Sequence, residues 1–423
     1  MTTRSAAAAL ERLPRGARIV AGPGCGTPET LLRALGEHAA SMAGPTLYSG
    51  LQLGAYPFLD AVAAGTLRFA TWHVMGPVRD LVATGAVDYL PIRASEVPRL
   101  LGHWDVDVAF VRVSPPDRNG YVSLGPSVSY PGPAVRQARL VVGEVDPTLP
   151  RTHGASHVHV SQFDSLVDTE DATCTYTSGT PSDLSRQIAD HVLELLPDRP
   201  ALQVGIGEIP EALVAALPDA GLGPVRFVGM ATDAMVDLFD DGTVDPRAVV
   251  PDPALATVEL MGSRRLLDAA DDHPAIGVYP SDRFHAPRHL AEIPRLVSLN
   301  SAIEVDLTGQ CNAETIGTRQ VSGVGGSMDF VEGAFTSDGG LRILALPSTT
   351  RDGTRTRIVS RLAHGAATTV PRHTTDLVVT EHGVADLRGR STRERAAALI
   401  AVAHPDHRDE LADQSPIQSR SDR

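Results

Sequence analysis

The segment FVGMATDAMVDLFDDG places Asp233 directly after an apolar run and at the start of a helical pattern. In an α/β protein that junction lies at the carboxyl edge of the sheet, where sites are built. A carboxylate there can attack an electrophilic carbon, or hold and deprotonate a water. Glu304 in NSAIEVDLTGQ and Glu381 in VVTEHGVADL are its rivals. Any one of the three alone is more often a cap or an ion-pair partner. Glycine turns are the second resource. GIGEIP, Gly205–Pro210, follows an apolar run and opens a helical one, so its backbone N–H groups form either a plain tight turn or a cradle for an oxyanion or phosphate. It is not a dinucleotide fingerprint, because Pro210 stands where GxGxxG needs its third glycine, and Gly22–Gly26 reads GxGxG. A nicotinamide cofactor is therefore not expected. The cluster Gly323–Gly326 in SGVGGSMDF reads as a turn with no helix directly after it, and a ligand packed on its backbone is an even alternative.

Composition excludes more chemistry than any motif admits. All 37 basic residues are Arg, since the chain has no Lys. Schiff-base catalysis, pyridoxal phosphate attachment and a Walker A loop all need Lys and are ruled out. Any phosphate or carboxylate must be held by Arg or by backbone amides. The 51 acidic residues leave a net charge of -14, which speaks against nucleic acid or an anionic membrane as partner. The histidines of HGASHVHV (His153, His157, His159) lack a familiar ligand spacing, so no metal is expected. HExxH and the GxSxG elbow are absent. Cys25 is read as a small buried residue rather than a nucleophile, and the three scattered cysteines point to a reducing cytoplasm. No apolar run approaches the roughly 18 residues of a membrane span, and the Ala-rich N-terminus, interrupted by Glu11 and Arg12, reads as a first helix.

Chemistry needs a frame to hold it. Near-continuous apolar runs at Val106–Val113, Leu140–Val145, Ala201–Gly205, Val225–Met230, Ala275–Tyr279, Arg342–Leu346 and Asp376–Thr380 predict strands covered on both faces. Helices are predicted at Leu184–Leu196, at Pro210–Leu217 with Pro210 in first position, and at Ser391–Ala403 with a Ser cap. Alternation of the two means an α/β protein with mostly parallel sheets. The Thr/Ser/Gly/Pro stretch DATCTYTSGTP marks a boundary, giving domains 1–180 and 181–423, and the tail after Asp413 reads as frayed.

In order along the chain, VSPPDRNGYVSLG, EVDPTLPRTHG, LQVGIGEIPEAL, SLNSAIEVDLTGQCNAETIGTRQVSGVGGSMDF, LPSTTRDGTRTRIV and VVTEHGVADLRGRSTRERAAALIAVAHP resemble the acetyl-CoA hydrolase/transferase family, which includes the 4-hydroxybutyrate and butyrate CoA-transferases. The resemblance implies two CoA-transferase-type α/β domains facing a central cleft, with the catalytic carboxylate in the second. It also implies a cytoplasmic homodimer that takes acyl-CoA and a carboxylic acid as substrates, with coenzyme A as the carried group. The family's nucleophile is a glutamate in a segment like G-I-H-T-E. Here the matching residues are Gly229-Met230-Ala231-Thr232-Asp233, so Asp233 holds that position one methylene short and Ala231 replaces the histidine. By the same resemblance the turn Gly205-Ile206-Gly207 supplies an oxyanion-hole amide. Gly323, Gly325 and Gly326 supply another and pack on CoA, with Ser327 where the family has Gln. Among the arginines of RTRIVSR, Arg355, Arg357 and Arg361 are candidates for the CoA phosphates. The resemblance implies CoA transfer; hydrolysis with Asp233 as general base, and a diverged acyl-CoA-binding protein, are the alternatives.

Overall fold

Parallel strands whose successive residues enter different cores are the organising feature of this protein. The computed structural model describes residues 3–247 and 252–415. Of the tail expected to fray, Gln414 and Ser415 continue the turn that ends the helix Arg408–Asp413, and 416–423 lie outside the described residues. The chain divides into two compact units: Met1–Thr177 with Gly229–Val236 and Pro246–Ala286, and Ser178–Val228 with Asp237–Asp245 and Pro287–Arg423. The first break lies beside the expected boundary. The segment carrying Asp233 belongs to the first unit, not to the C-terminal half where it was expected.

The first unit contains a seven-stranded, all-parallel sheet ordered Ser165–Asp168, Leu140–Val145, Val108–Val113, Arg18–Ala21, Thr46–Tyr48, Arg68–Thr71, Val87–Tyr89. Ile19, Val108 and Phe110 enter one core, with Leu31, Leu35 and Phe58. Val20 and Ala109 enter another, with Trp72, Leu101 and Tyr130. Both faces are covered, which is why these runs read as continuously apolar. The strands Leu255–Leu260, Ile276–Val278 and His153–Gly154 pair in parallel within the same unit. The pairing with His153–Gly154 ties this late segment to N-terminal residues, and so the unit is not contiguous in sequence.

In the second unit Ala201–Val204, Leu296–Ser301, Leu341–Ala345 and Leu377–Thr380 pair in parallel, and Gly383–Asp386 adds an antiparallel edge. Leu344, Val378, Val305 and Leu399 share its core. The helix Asp183–Leu193 starts at Ser182, whose Oγ accepts from Ser185 N at 3.2 Å. Thr392–Ala401 starts in a capping box made by Ser391 and Glu394. Two expectations are corrected. Pro210 is the third residue of Glu208–Ala216, not the first; it is tolerated because the amide it lacks is one that a first turn leaves unbonded. A helix, Ser327–Thr336, follows Gly326 directly. Met328, Phe330, Val331 and Ala334 are buried along it, but so are Asp329 and Gly333, which interrupt the apolar pattern in the sequence.

Candidate active site

Asp233 follows the strand Arg226–Ala231 and precedes the helix Ala234–Asp240. Its carboxylate is half-buried and is hydrogen-bonded within its own unit. Oδ2 accepts from Ser263 N at 2.8 Å, and Oδ1 accepts from Ser263 Oγ at 2.8 Å and Leu266 N at 3.2 Å. These donors sit at the start of the helix Arg264–Ala269, where Ser263 Oγ also accepts from Arg265 N. A carboxylate at a helix N-terminus is electrostatically favoured and satisfies amides that the helix cannot. Asp233 thus has a structural task beside any chemical one. Gly262 lies against it: a Cβ built there would sit 3.1 Å from Oδ1. Nothing in the sequence signalled this, because Ser263 is thirty residues away.

The two glycine turns differ in what their backbones do. Gly22–Gly26 is buried throughout. Its amides are spent internally: Gly22 N donates to Phe110 O, Gly24 N to Leu51 O and Gly26 N to Pro23 O. Gly26 is obligatory, since a Cβ there would meet Ser127 Cβ at 2.5 Å. This turn is packing, not a cradle. Cys25 within it is buried, and burial pushes its thiol up to about 12, so it is no nucleophile at neutral pH. Gly205, Ile206 and Gly207, in the second unit, are half-buried instead. A Cβ at Gly205 or Gly207 would meet nothing within 4 Å, so the space in front of this turn is open. Gly207 has φ +134°, a conformation that L side chains rarely adopt, and is the N-cap of Glu208–Ala216.

That open space is a cavity of about 570 Å3, within the range of small-molecule sites. Gly207, Glu208, Ser182, Thr350, Arg351 and Arg357 are among the residues that line it. Of the residues expected at the site, Gly207 and Arg357 both line this cavity. Burial draws the Arg357 guanidinium below the usual arginine value, against the pull of Glu381. Among the described residues no carboxylate forms an ion pair with Arg357, so its charge is available to an anion. Arg355 is exposed and does not line this cavity, and Arg361 lines a different one, beside Arg372 and Thr392. Arg351 was missed, although it lies in the same STTRDGTRTR segment. Gly323, Gly325, Gly326 and Ser327 are half-buried but do not line the cavity. Gly325 has φ +56°, Gly326 is the N-cap of Ser327–Thr336, and Ser327 Oγ donates to Val324 O at 3.0 Å.

The rival carboxylates have structural work. Glu304 accepts from Asn312 Nδ2 at 3.0 Å, and Glu381 from Ser348 N at 2.9 Å and Ser348 Oγ at 2.5 Å. His153 pairs with Asp272 at 3.0 Å and His159 Nδ1 lies 2.8 Å from Ser161 Oγ. Among the described residues no group of three or more His, Cys, Asp or Glu is placed to hold a metal ion, and no helix is long and apolar enough to cross a membrane.

Comparison with known proteins gives matches along the chain. Residues 2–176 match the acetyl-CoA hydrolase/transferase N-terminal domain and residues 262–415 the C-terminal domain of that name. A 4-hydroxybutyrate coenzyme A transferase of Clostridium kluyveri is 36% identical over 95% of this chain and 94% of its own. A succinyl-CoA:cyclohexane-1-carboxylate CoA transferase of Geobacter metallireducens is 36% identical over 93% of this chain and 90% of its own. Among solved structures, RipA from Yersinia pestis superposes with a TM-score of 0.89 at 30% identity, covering 97% of this chain and 96% of that one.

Proposed function

The chain belongs to the acetyl-CoA hydrolase/transferase family, and from that premise we propose that it moves CoA from a short-chain acyl-CoA to a carboxylic acid, with Asp233 as the carrier. A carboxylate oxygen of Asp233 attacks the thioester carbon, the C–S bond breaks, and a mixed anhydride and CoA thiolate result. The thiolate attacks the aspartyl carbonyl, releasing the first acid as its carboxylate and leaving CoA on Asp233 as a thioester. The acceptor carboxylate then repeats both steps in reverse order, and Asp233 returns to its free form. No proton is gained or lost over the cycle.

The observation that supports this reading is the engagement of Asp233. Its three hydrogen bonds fix the carboxylate in one orientation, and among the described residues Oδ2 accepts only from Ser263 N, which leaves that oxygen a lone pair for attack. In this reading the amides of Ile206 and Gly207, and of Gly325, receive the developing oxyanion. Gly205, Gly323, Gly326 and Ser327 face the CoA chain, and Arg357 takes a phosphate or carboxylate. The experiment is to incubate the protein with acyl-CoA, reduce with borohydride, and look by mass spectrometry for an alcohol at Asp233. Turnover that requires an acceptor acid is expected alongside it.

The same three bonds favour a second reading. They hold Asp233 back on a side chain one methylene short, and a carboxylate that cannot reach the carbon can still deprotonate a water. Free CoA released without an acceptor, and no adduct, would decide for hydrolysis.

A further inference from the structure

Glu259 lies in the strand Leu255–Leu260, fully buried, and the proposed reaction does not use it. The segment 126–128 runs antiparallel beside this strand: Leu260 N donates to Pro126 O at 2.8 Å and Val128 N to Val258 O at 3.3 Å, with Ser127 opposite Glu259. Ser127 Oγ and Ser129 Oγ therefore converge on the carboxyl, one on each oxygen. Ser127 Oγ also lies 2.9 Å from Pro23 O, in the turn Gly22–Gly26. Three oxygen-to-oxygen contacts thus form one chain, from Pro23 O through Ser127 Oγ and the Glu259 carboxyl to Ser129 Oγ. Each needs a proton between its oxygens. Pro23 O brings none and each serine brings one. The third must be on Glu259.

We propose that Glu259 is a neutral carboxylic acid in the folded protein, a positioning residue whose proton latches the Gly22–Gly26 turn to the strand that leads to Gly262 and Ser263. The direction of donation is then fixed: Ser129 to Glu259, Glu259 to Ser127, Ser127 to Pro23. Burial without a cation independently pushes this carboxyl up to about 8. The titratable groups that face it are Cys25 on the turn, Tyr130 beside Ser129 and, beyond Cys25, Asp233; none is a cation. Of the two flanking strands, Ile276–Val278 has no titratable residue, and Arg226–Ala231 has only Arg226, at its start, while its Gly229 and Ala231 carbonyls accept from Thr257 Oγ1 and Met261 N on either side of Glu259. On the packed helix Ser281–Phe284, Asp282 and Arg283 are exposed, and buried His285 just after it is held to about 3 and neutral. The turn so latched touches the segment that caps onto Asp233, through Cys25 Sγ and Gly262 O at 3.8 Å.

The unfolded carboxyl titrates near 4.5, its model-peptide value, and the folded one near 8. Folding therefore takes up one proton between those values, and the stabilisation present below pH 4.5 is lost as pH rises to about 8. Glu259→Gln is the test, because its amide places an N–H donor and a carbonyl acceptor where the neutral acid has its O–H and C=O, and it cannot titrate. Between pH 5 and 7 the folding constant of the parent, read from chemical denaturation, should fall about a hundredfold more than that of the variant. Equal slopes would overturn the proposal. Carbon NMR of the parent with labelled glutamate needs no variant. One side-chain carboxyl titrating near 8 is expected, and a full set titrating below about pH 6 would overturn it.

Discussion

Replacing Asp233 by Glu tests whether the carboxylate is held back by the helix it caps. The added methylene moves the carboxyl outward by about 1.5 Å. At that displacement the bonds of 2.8, 2.8 and 3.2 Å to Ser263 N, Ser263 Oγ and Leu266 N cannot all persist. The longer side chain must swing off the cap. Loss of one N-cap bond costs about 0.5–2 kcal/mol; three bonds are disturbed here, and water that reaches this half-buried group replaces part of what is lost, so about 1–2 kcal/mol is expected. In a unit of this size that lowers Tm by about 2–8 °C. The freed carboxylate should reach the thioester carbon better, and since a 1 Å misplacement can change rate about a hundredfold, transfer should rise by about ten- to a hundredfold relative to hydrolysis. Denaturation by urea reads the first effect. Appearance of the second acyl-CoA, with and without acceptor acid, reads the other. A Glu variant as stable as the parent, or one that transfers less, would refute the reasoning: the cap would then be either unimportant or the arrangement that catalysis needs.

Three further outcomes follow from the geometry. Arg357→Ala should weaken CoA binding by about tenfold or more, the value of one charge-assisted hydrogen bond, in a calorimetric titration, with little change in stability. Gly325→Val forces a β-branched residue into φ +56°, which should destabilise the protein by about 1–2 kcal/mol and lower acyl-CoA affinity; unchanged affinity in the folded variant would remove this loop from the binding site. Arg112→Met leaves buried Glu144 and Asp146, now 3.6 and 2.9 Å from the guanidinium, without their cation, and a loss of about 3–5 kcal/mol in chemical denaturation is expected.

What the sequence made legible depended on run length. VAFVRV and LVVGEV could be read as strands because six residues suffice to show an apolar run covered on both faces. Arg18–Ala21, Thr46–Tyr48 and Arg68–Thr71 went unread because their apolar stretches, IVA, LY and FA, are closed off at once by Arg, Thr, Ser or Gly, whereas the equally short strands Ala201–Val204 and Ile276–Val278 lie in the longer runs ALQVG and AIGVY. Among the glycines, spacing alone could not separate a turn closed by Ser127 more than a hundred residues away from one that opens onto a cavity. The same holds for Asp233: its position after a strand was visible, but its three donors come from a helix thirty residues later.

In a strand buried on both faces there is no outward side, so an ionisable residue must be neutralised where it stands. Arg112 and Glu259 meet that demand in opposite ways. Arg112 cannot give up its proton, and the fold brings it Glu144 and Asp146, with Thr27 O at 3.2 Å as a further acceptor. Glu259 can take a proton, and the fold brings it two hydroxyls and no cation. Both chains of bonds end on the same stretch, Arg112 on Thr27 and Glu259, through Ser127, on Pro23. The turn Gly22–Gly26 is therefore anchored at one end by a permanent charge and at the other by a proton. The second anchor is released as pH rises, so the alkaline side of the stability profile is where that end of the turn should come loose.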